Sequence, residues 1–308
     1  MPKILFAATD KRWPEYETPL RTALDATGLD YTLARDLPPE TVDYIVYAPN
    51  SGVTDFTPFT RLKAVLNLWA GVEQVTRNKT LKAPLARMVD EEGLTQGMVE
   101  YVTGHVLRHH LGMDSHIVNP AGDWVSKAPP LSAERPVTIL GLGTLGMACA
   151  GALTALGFPV TGWSRSPKDV PGVTCLHGDA ALESALASAE ILVLLLPDTP
   201  ATTNLMDAAR LSRLPRGAAL INPGRGPLID DDALIAALDS GALSHATLDV
   251  FRIEPLPRDH PFWTHPKVTV TPHIASETRA PSAARVIAEN IRRGEAGDHD
   301  LDHRHSGR

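Results

Sequence analysis

The sequence has 308 residues, 43% of them hydrophobic and 21% charged, so disordered and fibrous classes are excluded and two domains with buried cores are expected. Its 29 Lys and Arg against 36 Asp and Glu leave a formal charge of −7, a surface that repels nucleic acid and anionic membranes. Cys149 and Cys175 form no CxxC pair or disulfide framework, and the longest apolar run, Ile191 to Leu196, is far below the roughly 20 residues that span a bilayer. With polar residues already at Thr9 to Arg12, too early for a signal peptide's apolar core, a soluble cytoplasmic protein is expected.

Short β-forming runs alternate with amphipathic stretches, which marks an α/β fold with mostly parallel sheets. In the first hundred residues the predicted strands are Lys3 to Ala8, Tyr31 to Arg35, Tyr44 to Ala48, Ala64 to Leu68 and Leu85 to Val89, with a helix beginning near Trp13. Leu94, Met98, Val102 and Val106 recur at helical spacing, which predicts one long helix from Gly93 to about Val118 that links two domains. A loop with four prolines follows, from Asn119 to Pro136. A second set of six strands is then predicted at Val137 to Leu142, Pro159 to Ser164, Ile191 to Leu196, Ala218 to Asn222, His245 to Phe251 and Val268 to Thr271. The last helix, Ala280 to Arg293, is expected to return to the first domain, so residues 1–96 with 278–308 form one domain and 97–277 the other. The tail after it holds His299, His303 and His305 without fixed geometry, and His105, His109 and His110 read as ordinary helix residues; no metal site is expected.

The strand at Val137 runs into Gly141-Leu142-Gly143-Thr144-Leu145-Gly146 and then a helix, the G-x-G-x-x-G context of a dinucleotide-binding turn. Gly141 permits the turn, Gly143 admits a pyrophosphate, Gly146 lets helix and strand pack closely, and the helix N-terminus faces the anion. About 20 residues on, NAD enzymes place an acidic residue for the ribose hydroxyl. Here Trp163-Ser164-Arg165-Ser166 stands instead, so a guanidinium and two hydroxyls await a 2′-phosphate and NADP(H) is favoured over NAD(H). Asp169, four residues past Arg165, leaves NAD(H) as a second possibility.

Three strand ends carry ionisable groups: Asn222-Pro223-Gly224-Arg225-Gly226, Asp249 through Pro257, and Thr271-Pro272-His273-Ile274-Ala275-Ser276. Singly, Arg225 also reads as an exposed loop cation, Glu254 as a turn residue and His273 as a capping group. In this order, and with Ala70-Gly71-Val72, Met98-Val99-Glu100-Tyr101, Leu196-Pro197-Asp198-Thr199, Leu248-Asp249-Val250-Phe251, Glu254-Pro255-Leu256-Pro257 and Trp263-Thr264-His265-Pro266, the sequence resembles the D-isomer-specific 2-hydroxyacid dehydrogenases, particularly glyoxylate/hydroxypyruvate reductases of the A type, over nearly its whole length.

The resemblance implies two doubly wound parallel-sheet α/β domains: a flavodoxin-like substrate (lid) domain and a Rossmann cofactor domain, with substrate between them. It implies Arg225, Glu254 and His273 as catalytic residues, with His273 the general acid and Glu254 its orienting partner. Substrate would meet Arg225 and the Trp69-Ala70-Gly71-Val72 segment. Cofactor would meet Met98, the Gly141 to Gly146 turn, Trp163 to Ser166, Leu196, Pro197, Thr199, Asn222, Pro223, Gly224, Asp249, His273 and Ala275, with Asp249 facing the nicotinamide carboxamide. Trp69 stands where many relatives have a small residue, and Pro223-Gly224 replaces a more usual pair. The implied activity is NADPH-dependent reduction of glyoxylate to glycolate and of hydroxypyruvate to D-glycerate. Reduction of bulkier 2-keto acids such as phenylpyruvate is the alternative, and a nucleotide-sensing binding protein is the rival from another class. A homodimer is implied, with the segment from Gly93 through the proline loop and Trp124 as candidate interface.

Overall fold

The computed structural model describes residues 1–124 and 126–298. The chain divides into two units, one comprising Met1–Leu94 with the described part of Thr278–Arg308, the other Thr95–Glu277.

The first unit is a five-stranded parallel sheet of β1 (Lys3–Ala7), β2 (Thr32–Ala34), β3 (Tyr44–Tyr47), β4 (Ala64–Asn67) and β5 (Leu85–Ala86), in the order β2-β1-β3-β4-β5. That is the flavodoxin-like order. Strands β3 and β4 are buried at every position, as befits central strands covered on both faces. The helix Trp13–Asp25 opens with Pro14 in its first turn and buries Tyr16, Leu20 and Leu24, a four-residue spacing that makes one apolar stripe. Burying each of those side chains is worth about 2 kcal/mol. The stripe packs on the helix Ala280–Glu295, which buries Ala283, Ala284, Ile287, Ala288 and Ile291. Its last turn is tied to β3, where the Tyr44 hydroxyl donates to Glu295 Oε1 at 2.8 Å.

The second unit is a seven-stranded parallel sheet. Its strands are β6 (Val137–Leu140), β7 (Val160–Ser164), β8 (Val173–His177), β9 (Ile191–Leu194), β10 (Ala218–Asn222), β11 (Leu243–Leu248) and β12 (Val268–Val270). The order is β12-β11-β10-β9-β6-β7-β8, so the chain leaves β6 toward β7 on one side and later returns as β9 on the other. Open α/β sheets bind ligands at the carboxyl ends of the strands beside such a switch point. Because every pairing is parallel, the segments following β6, β7, β9, β10, β11 and β12 all emerge at one edge of this sheet.

Two expectations are corrected. The long helix from Gly93 to Val118 is three pieces: a π-helical turn Glu91–Thr95, the α-helix Gln96–His110 and a short turn Asp114–Ile117. The break falls at Gly112, whose φ of +64° is left-handed and ends the helix. Beyond it Met113, Ile117 and Val118 are exposed, so no buried stripe calls for continuation. The second sheet has seven strands rather than six. The unforeseen one, β8, lies at the sheet edge with every residue partly or fully exposed, so it lacks the apolar run that marks a central strand. Among the described residues no helix is long and apolar enough to cross a membrane. His299, His303 and His305 lie outside the described residues.

Candidate active site

The chain leaves β6 through Gly141, whose φ is +112°, and enters the helix Thr144–Ala155 three residues later. A Cβ on Gly141 would stand 2.4 Å from the Leu195 carbonyl oxygen, and one on Gly146 would stand 1.8 Å from the oxygen of Gly141, so close packing demands glycine at both positions. Gly143, next to the helix start, differs: a Cβ there would meet nothing within 4 Å. The space before the first helical N–H groups is therefore open, the shape a pyrophosphate needs. At the end of β7, Trp163 is buried and its indole N–H donates to the Gly178 carbonyl at 2.9 Å, while the Ser164 hydroxyl donates to the Ser166 carbonyl at 2.7 Å. Those two residues build the turn. Arg165 and Ser166 are exposed on it, and Arg165 has no hydrogen bond or ion pair with any described residue. A phosphorylated dinucleotide fits this pair of features: an open glycine cradle and an uncommitted guanidinium with no carboxylate in its own turn.

After β9, Leu196 is buried and Pro197 exposed, and the Thr202 hydroxyl closes the turn by donating to the Pro197 carbonyl at 2.6 Å while accepting the Thr199 amide at 2.9 Å. After β10, the buried side chain of Asn222 braces its own loop: its Nδ2 donates to the Arg225 carbonyl at 2.9 Å, and its Oδ1 accepts the Gly224 amide at 3.1 Å. Pro223 and Gly224 are buried under the partly exposed Arg225. Gly226 then brings this loop against the one after β11, for a Cβ on it would stand 2.0 Å from the Phe251 carbonyl carbon.

The loop after β11 carries Glu254, whose Oε1 accepts the Phe251 amide at 2.9 Å and whose Oε2 lies 2.7 Å from Nδ1 of His273. A proton on Nδ1 is donated to the carboxylate, which leaves Nε2 for other chemistry. Burial works to raise the Glu254 carboxyl, yet the hydrogen bonds from His273 and Phe251 and the charges of His273 and Arg225 carry it below its ordinary value. For His273 the Glu254 hydrogen bond prevails over burial and over Arg225, with the charges of Glu254 and Asp249 adding to it, and the imidazole is raised above its usual 6.5. Proton donor, its partner carboxylate and a guanidinium close enough to act on both thus stand at the edge that also carries the glycine cradle.

Three predicted cofactor residues are buried. Asp249, expected to face a carboxamide, is fully buried, with Oδ1 accepting the Thr271 hydroxyl at 2.6 Å and the Ile274 amide at 2.9 Å, and Oδ2 accepting the Ala275 amide at 2.9 Å. Ala275 and Met98 pack in the core with Val102, Ile139 and Leu142.

In the first unit, β4 ends at Asn67, whose buried side chain donates from Nδ2 to the carbonyls of Trp69 at 2.7 Å and Gly71 at 3.0 Å. The Met88 amide also donates to the Trp69 carbonyl. With those carbonyls tied inward, the amides of Ala70, Gly71 and Val72 donate to no described residue, which leaves three successive donors for an anion. Trp69 is exposed beside them. Asn67, Tyr101 and Thr271 are the site residues that sequence reasoning missed. The one signal for Tyr101 was its place in the Met98-Val99-Glu100-Tyr101 stretch. Among the described residues no cluster of His, Cys, Asp and Glu could hold a metal ion.

Fold and site together define a two-unit α/β protein with a dinucleotide turn and an acid-base pair at the edge of one sheet. Residues 105–275 match the family described as D-isomer specific 2-hydroxyacid dehydrogenase, NAD binding domain. A curated relative, glyoxylate/hydroxypyruvate reductase A of Serratia proteamaculans (strain 568), is 42% identical over 245 residues, 77% of this chain and 78% of that protein. Crystal structures agree: a D-isomer specific 2-hydroxyacid dehydrogenase from Xanthobacter autotrophicus Py2 in complex with NADPH and MES superposes with a TM-score of 0.90 at 41% identity, covering 99% of this chain and 98% of that one. An NADPH-dependent glyoxylate/hydroxypyruvate reductase from Sinorhizobium meliloti in complex with NADP and sulfate gives 0.86 at 31% identity with the same coverage. The chain belongs to the D-isomer-specific 2-hydroxyacid dehydrogenase family.

Proposed function

We propose that this protein is an NADP-preferring reductase of small 2-keto acids, converting glyoxylate to glycolate and hydroxypyruvate to D-glycerate. The observation that carries this reading is the His273–Glu254 hydrogen bond of 2.7 Å within the influence of Arg225. In this reading the first unit is the substrate-binding domain and the second the cofactor domain.

Gly143, Thr144 and Leu145 would hold the pyrophosphate by their backbone, and Arg165 with Ser166 the 2′-phosphate; bound there, NADPH supplies the hydride that reaches the carbonyl carbon. Negative charge then grows on the carbonyl oxygen, and His273 delivers a proton to it from Nε2. Glu254 keeps the ring oriented and stabilises the imidazolium before that transfer. Arg225 serves both the carbonyl and the carboxylate of the substrate, two oxygens that suit a guanidinium fork better than an ammonium point. In the first unit, the amides of Ala70, Gly71 and Val72 are donors suited to a substrate carboxylate, and Trp69 beside them is suited to limiting the bulk of the substrate side chain. We also place the enzyme in the cytoplasm, where its two free cysteines stay reduced, and assign the exposed Leu111, Met113, Ile117, Val118, Trp124 and Leu131 to the contact with a second copy. Light-scattering mass checks that dimer.

The test follows NADPH absorbance with glyoxylate, hydroxypyruvate and phenylpyruvate in turn. The first two should exceed phenylpyruvate in kcat/KM by about tenfold or more, and Arg165→Ala should cut the preference for NADPH over NADH by a similar factor. Cofactor binding without consumption on any keto acid would leave a nucleotide sensor instead.

A further inference from the structure

His273 is a non-glycine residue held at φ +55°, a left-handed conformation that persists only where its surroundings impose it. What imposes it is Asp249. The Asp249 carbonyl accepts the His273 amide at 2.8 Å, and its two carboxylate oxygens take the next two amides, of Ile274 and Ala275, at 2.9 Å each. The turn that presents the imidazole is therefore wrapped on one buried carboxylate, whose oxygens are claimed by the donors around it.

Thr271 is the side-chain donor. Its hydroxyl has a single proton, and at 2.6 Å from Asp249 Oδ1, an acceptor when ionised, that proton is committed. The Tyr101 hydroxyl lies 2.7 Å from the same Thr271 oxygen and must therefore be the donor to it. Burial, aided by the charge of Asp249, keeps the Tyr101 phenol protonated by raising it above its ordinary value. The result is a one-way chain from the helix Gln96–His110 to the loop after β12: Tyr101 to Thr271 to Asp249 to the backbone of residues 273–275.

We infer that Tyr101 is a positioning residue for the reduction, acting through Thr271 and Asp249 to hold the His273 turn in register with Glu254. The inference rests on the reading of His273 as proton donor. The groups facing His273 are Glu254, Asp249 and Arg225; those facing Asp249 and Tyr101 from the helix are His105 and Arg108, with Asp114 beyond. None of the helix groups reaches His273 except through the Thr271 hydroxyl and Asp249.

The experiment uses the full-length protein and three variants, Tyr101→Phe, Thr271→Val and Thr271→Ser, with two readouts. The first is the NMR titration of His273 in histidine-labelled protein, its signal identified by its loss in His273→Ala. Tyr101→Phe and Thr271→Val should move the midpoint down toward the ordinary histidine value as the turn loosens from Glu254, and Thr271→Ser, which keeps the hydroxyl, should restore it. The second readout is kcat for NADPH-dependent reduction, expected to fall about 3- to 10-fold in Tyr101→Phe and at least as far in Thr271→Val, with KM for NADPH unchanged. A purely structural role would lower the melting temperature and leave the midpoint in place. An unmoved midpoint in a folded Tyr101→Phe protein overturns the inference, as does a Thr271→Ser protein as impaired as Thr271→Val. Should Thr271→Val fail to fold, Tyr101→Phe alone decides. The titration needs no substrate, so a blank keto acid assay with a shifted midpoint counts against the substrate assignment and not against the chain of hydrogen bonds.

Discussion

Where the loops after β11 and β12 meet, the chain concentrates charge: His273 and Glu254 are joined by a hydrogen bond there, and the fully buried Asp249 anchors the turn. At the carboxyl end of β4, residues 67–72 carry none. Asn67, a neutral amide, draws two carbonyls inward and leaves three N–H groups without a partner among the described residues. The difference teaches how much scaffolding each task needs. A group that must gain and lose a proton needs partners that settle its charge, and these in turn need donors of their own, so the support runs through three more residues. A cradle for a fixed anion needs only dipoles pointed one way, and a single side chain suffices.

The comparison breaks first at His273. His273→Ala should lower kcat/KM by about a thousandfold, the scale of general acid catalysis, in steady-state assays. Its pH profile should lose a limb as well. The imidazole is raised above 6.5, so the wild-type enzyme keeps its donor below that pH and loses reduction activity as pH climbs through the raised value. A variant that keeps the same limb rules out His273 as the titrating group.

Arg225→Lys tests whether charge or shape matters at the crest. Keeping the cation but losing the fork should cost about a hundredfold in kcat/KM, and a near-neutral result would show that a point charge is enough. Asn67→Ala sharpens the other side. With the carbonyls of Trp69 and Gly71 released, KM for the keto acid should rise about tenfold while kcat changes less, since the cradle binds and does not react. An equal loss in kcat would mean that the neutral loop takes part in the chemical step.

The parts of this molecule that could be read from sequence are those with local patterns. Central strands such as Tyr44–Tyr47 and Ile191–Leu194 are built from aromatic and aliphatic residues throughout, and the glycine turn has its spacing written in six consecutive residues. Arg225, Glu254 and His273 were legible through the family resemblance that their order along the chain carries, each lying in a loop that follows a strand of one parallel sheet. Edge strand β8 was not, being half exposed, and neither was the break at Gly112, since helical spacing before a glycine says nothing about what lies beyond it. Tyr101 and Thr271 are 170 residues apart and uncharged, so nothing local marks them as partners. Asp249 was legible as a site residue, but its orientation was not: the amides that claim it are 25 and 26 positions away.

Gly226 has a consequence for anyone who would redesign this enzyme. Because its α-carbon lies so near the Phe251 backbone, the guanidinium loop and the carboxylate loop are mechanically one part. Grafting either alone into another scaffold, or lengthening one to admit larger molecules, would wedge the pair open, so changes of specificity made here must transplant both loops as a single cassette.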